Sequence, residues 1–292
     1  MSTARAIRVP SRLFPYERWE SSLPALARQY QANPPCPHIL LADFLEESVA
    51  AAMEREFPRS TSHAWTQYKH ANENKAGMPK RELFPPTLGA VVDELNTPEF
   101  AAFVSRLTGI PNLLADPMLE GGGLHQSGPG GYLNVHTDFS MHHFHTHWHR
   151  RVNLILYLNE GWREEWGGAL ELWEKSAAGK MTRCAAKYPP LLNHALIFTT
   201  DERSLHGFPD PLKCPEGTSR KSLALYYYTV EPGRSVPVHS TDYFARPQDG
   251  WAKSAAIWLD KKAVDLYSRA KARFGFSDEF ASKVLGFLSG KK

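Results

Sequence analysis

Two stretches of strict two-residue alternation set what this chain can become. In Val152-Asn153-Leu154-Ile155-Leu156-Tyr157-Leu158 the residues Val152, Leu154, Leu156 and Leu158 fall on one face of an extended strand, and Asn153, Ile155 and Tyr157 on the other. In the run Arg220 to Thr229, Arg220, Ser222, Ala224 and Tyr226 share one face while Leu223, Leu225 and Tyr227 share its opposite. Sheets with an apolar outer face packed on helices and a more polar inner face lining a site account for both patterns. Shorter strands are predicted at His38–Leu41, across Gly130–Phe139, at Ala169–Trp173 and at Leu196–Phe198. Apolar residues at helical spacing predict helices over residues 17–31 and 45–57 and from Thr97 to Gly109, where Thr97-Pro98 reads as a cap with proline at the first turn. The chain beyond about residue 252 is also predicted helical, with stripes at Leu259, Ala263, Leu266, Tyr267 and Ala270, then Phe280, Val284, Leu285 and Leu288. These stripes are expected to cover the sheets.

Composition removes several function classes. A net charge of +3 over 292 residues is too small to argue for nucleic acid. Cys36, Cys184 and Cys214 form no C-x-x-C pair, which fits a reducing, cytoplasmic setting and not a disulfide framework or structural zinc site. No apolar run is long enough to cross a membrane. The start, Met1 to Arg12, is basic but lacks the apolar core of a secretory signal. The glycine-rich run Gly121–Gly131 leads into a strand, not a helix, so it reads as tight turns and not a phosphate cradle.

Chemistry concentrates at His136-Thr137-Asp138. In a strand, residues two apart point the same way, so an imidazole nitrogen and a carboxylate oxygen project together. By itself such a pair serves hydrogen bonding as readily as metal binding. A second histidine would complete a two-His, one-carboxylate face on an octahedral ion and leave the other positions open. His206, seventy residues on beside another strand, is the candidate. Arg220, fourteen residues further, opens the last strand on its inward face. Burying that guanidinium is costly without an anion, and a carboxylate matches its planar fork. Lys221 points the other way. The tract His142, His143, His145, His147 and His149 is interrupted by Phe144 and Trp148, so it reads as a loop or strand edge beside the site and not a metal store. The polar stretch from Arg59 to Pro86, with Trp65, Tyr68, Lys69, Asn72 and Arg81, reads as a long loop, either plain surface or a lid over the pocket.

This constellation resembles the Fe(II)- and 2-oxoglutarate-dependent oxygenases, in particular their prolyl 4-hydroxylase-like branch. The resemblance runs from about Pro37 to Tyr228 and includes Tyr157-Leu158-Asn159 and Gly167-Gly168-Ala169-Leu170. It implies a mainly β fold with flanking helices (α+β), a double-stranded β-helix or jelly roll of the cupin-like kind. The chain is then expected to be one catalytic domain. Residues 1–33 are an arm and helix, 34–230 the oxygenase domain with its core at about 120–230, and 231–292 a helical cover. The resemblance further implies Fe(II) on His136, Asp138 and His206, with 2-oxoglutarate and O2 as co-substrates and ascorbate as an optional reductant. Arg220 and Tyr157 are expected to hold the distal carboxylate of 2-oxoglutarate, with Ser222, Gln126 and Asn153 as further co-substrate contacts. The branch has a tyrosine upstream of its first histidine; here Gln126 or His125 stands near that place. The expected reaction is hydroxylation of an aliphatic C–H, releasing succinate and CO2. The substrate is a free amino acid, a natural-product intermediate, or a prolyl or other residue in a protein. The alternative is a non-catalytic metal-binding or sensing jelly roll.

Overall fold

The two alternating segments become neighbours in the middle of one antiparallel sheet. The structure, a computed structural model, describes residues 12–231 and 241–274. In chain order the strands are β1 (His38–Leu41), β2 (Thr66–His70), β3 (Glu73–Met78), β4 (Leu114–Ala115), β5 (Gly123–Ser127), β6 (Tyr132–Thr137), β7 (Trp148–Tyr157), β8 (Leu170–Lys175), β9 (Met181–Tyr188), β10 (Ala195–Thr199), β11 (Leu205–Phe208), β12 (Arg220–Val230) and β13 (Asp242–Tyr243). The helices are α1 (Tyr16–Glu20), α2 (Leu23–Ala32), α3 (Glu47–Glu56), α4 (Pro86–Leu95), α5 (Pro98–Thr108) and α6 (Trp251–Phe274). The strand order is β1-β10-β7-β12-β5-β3-β6-β11-β8-β9, with β13 on β6, β2 on β3 and β4 on β12.

This sheet rolls into a nearly closed barrel of jelly-roll type. The His206 ring on β11 stands 4.8 Å from the Phe198 ring on β10. Tyr157, Leu170, Leu196 and Phe198 form an apolar cluster between the two halves. Outside, Leu154, Leu156, Leu223, Leu225 and Tyr227 join Leu88 and Val92 of α4 and Phe100, Phe103 and Leu107 of α5 in the main core. The alternation of β7 and β12 thus means what the sequence suggests: the leucine face meets helices and the other face lines the barrel. Helix α5 begins and ends as predicted, with Thr97 accepting a bond from the Phe100 N–H and Gly109 closing it.

Two expectations need correction. The stretch from Arg59 to Pro86 is not a structureless loop. It holds the β2–β3 hairpin, and β3 sits inside the sheet between β5 and β6. Its sequence conceals a strand because Glu73 and Lys75 occupy one face, while the other opens with Asn74 and offers only Ala76 and Met78 to the main core. The C-terminal cover also differs. Leu259 and Leu266, expected to pack, are exposed, and among the described side chains of the helix Ile257 is the one firmly buried. The stripe at Phe280, Val284, Leu285 and Leu288 lies outside the described residues, as does the basic arm through Arg8.

Polar contacts hold α6 instead. His70 sits between Glu73 Oε1 at 2.8 Å and Asp260 Oδ2 at 2.6 Å, and Asn72 donates to the same Asp260 oxygen. Lys261 pairs with Asp242 of β13. Against burial, which favours the neutral ring, the two carboxylates push the His70 pKa up to about 9. The folded state therefore keeps a proton that a free imidazole loses near its ordinary value of about 6.5. The stabilisation is full below that value and disappears as pH rises through about 9. Amide exchange of the described part of α6 should accelerate, relative to α5, between pH 8 and 10, and His70→Ala should show fast exchange already at neutral pH. Equal protection of α6 in both proteins would remove His70 as the clamp.

Candidate active site

Strand pairing brings the separated histidines together. His136 of β6 lies directly opposite His206 of β11, their ring centroids 4.3 Å apart. Between His136 and Leu133 the strand carries an extra residue against β11. At that bulge Gly207 lies so close to β6 that a Cβ would stand 2.7 Å from the Leu133 carbonyl oxygen. Asp138 follows the end of β6. Its Oδ1 is 3.6 Å from His136 Nε2 and its Oδ2 3.5 Å from His206 Nε2. One donor atom from each of the three residues lies within 4.8 Å of the other two.

The hydrogen bonds behind the rings fit a metal. His136 Nδ1 is 2.9 Å from the Asn134 carbonyl oxygen and His206 Nδ1 2.8 Å from that of Ser204. A carbonyl only accepts, so each Nδ1 carries the proton and each Nε2 presents a lone pair towards Asp138. Burial, helped by the neighbouring His136, pushes the His206 pKa down to about 4 and keeps that ring neutral. Burial works against the Asp138 carboxylate, but Arg150 and the two histidines hold its pKa well below the usual range. With both Nδ1 atoms turned to backbone carbonyls, two imidazole Nε2 atoms and a carboxylate converge on one place, which suits a divalent ion of the Fe(II) type.

On the inner face of β12 lies Arg220, 6% exposed. Its Nε donates to the Gly168 carbonyl at 2.7 Å and an Nη to the Tyr157 hydroxyl at 3.4 Å. Its guanidinium stands over the Phe208 ring at 4.3 Å and the Tyr157 ring at 5.0 Å. Among the described residues no carboxylate pairs with it, and burial lowers its pKa. Lys221, on the outer face, pairs instead with Glu54 of α3 at 2.7 Å. The inward parity of Arg220 is therefore as read.

The remaining expected contacts divide. Ser222 is buried on the inner face, opposite Tyr157 on one side and His125 on the other. Gln126 is opposite Lys221 and Ala76, so it shares the outer face with Lys221 and turns away from Arg220. This corrects its expected place among the co-substrate contacts: the glycine turn before β5 hid the parity, and His125 is the inward residue. The His125 ring is enclosed, and burial, with Lys75, pushes its pKa down to about 3. Asn153, expected at the co-substrate, gives its amide to Asp138 Oδ2 at 2.7 Å and accepts from Arg150 Nε at 2.8 Å. In the histidine tract, His142 is buried and accepts from the backbone of Phe144 and His145, while Phe144 at the loop tip is exposed. Among the described residues the tract forms no metal cluster.

Sequence reasoning missed Arg150 and the Glu73–Lys75 pair, which is 3.0 Å apart on the inner face of β3. Arg150 was hidden at the end of the histidine tract, where no alternation had yet begun. The only available signal was its place three residues before Asn153, on the strand that faces Asp138.

Residues 122–228 match the family described as the 2OG-Fe(II) oxygenase superfamily. No curated protein matches the chain. Among solved structures, a prolyl hydroxylase from Trichoplax adhaerens, in complex with a hypoxia inducible factor oxygen degradation domain peptide, is 17% identical. That match covers 73% of this chain and 91% of that one, with a TM-score of 0.51. A prolyl 4-hydroxylase from Phytophthora capsici is 15% identical over 91% of this chain and 79% of that one, at 0.50. One from Pseudomonas putida is 19% identical over 72% and 100%, at 0.48. At these identities the likeness is one of fold. Residues 122–228 are a 2OG-Fe(II) oxygenase domain. A domain of this kind, in a prolyl 4-hydroxylase-like fold, supports a 2-oxoglutarate-dependent dioxygenase with Fe(II), 2-oxoglutarate and O2.

Gly168 offers a test of how the Arg220 end is built. It has φ +78°, and a Cβ there would stand 2.7 Å from Leu212 Cδ2 and 3.1 Å from Arg220 Cδ. Gly168→Ala should cost about 1–3 kcal/mol of stability and weaken 2-oxoglutarate binding about tenfold or more by shifting Arg220, as read by thermal melts and calorimetry. Unchanged binding in a folded variant would show that Gly168 does not support the Arg220 pocket.

Proposed function

We propose that the protein hydroxylates an aliphatic C–H bond of a small molecule, a free amino acid or natural-product intermediate, with Fe(II) held by His136, Asp138 and His206. Arg220 and Tyr157 hold the distal carboxylate of 2-oxoglutarate, with Ser222 and His125 beside it on the same inner face. When bound, the ferrous ion and 2-oxoglutarate activate O2, giving succinate and CO2 together with the oxidised product. The chain's own residues bind, orient and shield.

The observation that carries this reading is the buried cation. A guanidinium 6% exposed, stacked between Tyr157 and Phe208 and without a carboxylate partner among the described residues, is suited to an anion that arrives with a ligand. A jelly roll that only stored or sensed metal would have no use for it. For the substrate, Glu73 and Lys75 bring one charge of each sign to the inner face of β3, four and two residues before Gly77, which faces His125. Such a pair matches the ammonium and carboxylate of a zwitterionic small molecule better than a neutral peptide backbone. The three free cysteines fit a cytoplasmic setting.

Succinate formation in the presence of Fe(II), 2-oxoglutarate and a panel of free amino acids, natural-product amines and proline-containing peptides tests the proposal. Stimulation by members of the first two groups is expected; stimulation by peptides alone would reassign the substrate. His136→Ala and His206→Ala should each abolish turnover, and retained turnover in both would sink the metal assignment. Arg220→Ala should raise the 2-oxoglutarate requirement by an amount equivalent to about 2–5 kcal/mol. Lys221→Ala, which acts on the outer surface, should change it little.

A further inference from the structure

Asp138 is held from behind by two side chains whose geometry singles out one of its oxygens. Oδ2 receives the Asn153 amide at 2.7 Å and lies 3.1 Å from an Arg150 Nη. Oδ1 has neither contact; it lies 3.6 Å from His136 Nε2, while Oδ2 lies 3.5 Å from His206 Nε2. Arg150 is itself fixed on every side. It is 1% exposed, its Nε donates to Asn153 Oδ1 at 2.8 Å, and its backbone N–H donates to the Ser140 carbonyl at 2.8 Å. Its guanidinium carbon stands 3.4 Å from the centroid of the Tyr226 ring and 4.6 Å from that of Phe139, the residue next to Asp138. Tyr226 is anchored in turn by donating to the Gly121 carbonyl at 2.7 Å. A guanidinium between two rings cannot swing into the pocket, and it is too buried to meet a substrate. Its charge is directed at Asp138.

We propose that Arg150 and Asn153 are positioning residues that keep Asp138 a one-oxygen ligand, with Oδ1 offered to the ion and Oδ2 occupied. The inference rests on the reading of His136, Asp138 and His206 as metal ligands. Its consequence is concrete. A carboxylate free to turn presents both oxygens and chelates, taking up one of the positions that a two-His, one-carboxylate centre leaves open. The Asn153 hydrogen bond and the Arg150 ion pair, both on Oδ2, oppose that turn. Loss of such supporting contacts commonly costs 10- to 100-fold in metal affinity.

Co(II) serves as the probe, because the intensity of its visible absorption falls as coordination number rises. The metal-free protein and its Asn153→Ala, Arg150→Gln and Arg150→Lys variants are titrated with Co(II), and each metal-free form is also melted thermally. Asn153→Ala should bind Co(II) about tenfold or more weakly and give a weaker visible band per ion. Arg150→Gln should show the same fall in intensity, and Arg150→Lys, which keeps the charge without the planar fork, should lie between. If Arg150→Gln does not fold, Asn153→Ala carries the test, since it leaves no buried charge uncompensated. Folded variants with lower melting temperatures but an unchanged cobalt spectrum and affinity would make the two residues merely structural and overturn the proposal. If the unsubstituted protein binds no Co(II), the metal reading itself fails, and this inference with it.

Discussion

A cation enclosed in a barrel without a matching anion is the constraint on which the rest of this structure turns. Taking a guanidinium out of water costs several kcal/mol unless a partner compensates. Arg220 obtains only partial compensation, from the Gly168 carbonyl, the Tyr157 hydroxyl and two ring faces. Everything near it is shaped to keep it there. The glycine at 168 leaves room for its side chain, Phe208 arrives from β11, and the leucine face of β12 is locked against the helices by Leu223 and Leu225. A register slip of one residue would exchange Arg220 with Lys221, expose the leucines and break the Lys221–Glu54 pair. The same core that stabilises the sheet therefore fixes which charge faces inward.

The histidine–carboxylate cluster answers this cation from the opposite strands. His136 and His206 face each other across β6 and β11, and both have their Nδ1 protons committed to backbone carbonyls. Arg150 balances Asp138, while Glu73 balances Lys75 and His70. The inner surface thus sets paired charges beside Arg220, which among the described residues has no carboxylate partner. This charge pattern suits the proposed role, in which a dianion sets one end on a metal and the other on Arg220.

How much of this was legible depended on whether a strand had one apolar face. Strands β7 and β12 do, and their alternation gave both the barrel's inner and outer faces and the inward direction of Tyr157, Ser222 and Arg220. The spacing of His136, Asp138 and His206 was readable because a strand period puts residues two apart together. Strand β3 was not, because Glu73 and Lys75 put charge on its inner face and its outer face offers only Ala76 and Met78, too short an apolar alternation to read. Gln126 was misplaced because the glycines before β5 conceal where its pleat begins. Arg150 was lost among histidines that look alike in sequence but differ in place, from buried His142 to the exposed loop tip beside it. Helix α6 misled for the opposite reason: Leu259 and Leu266 suggested packing, yet Asp260 and Lys261 make its contacts.

The most direct test of the central claim is an anaerobic titration of the Fe(II)-loaded protein with 2-oxoglutarate, following the visible charge-transfer colour of a 2-oxo acid chelated to ferrous iron. One saturable band per chain is expected. It should be lost in His206→Ala, and in Arg220→Ala it should appear only at much higher 2-oxoglutarate, whereas succinate semialdehyde, which lacks the 2-oxo acid chelate, should give none. A band that saturates at the same 2-oxoglutarate concentration with and without Arg220 would contradict the account.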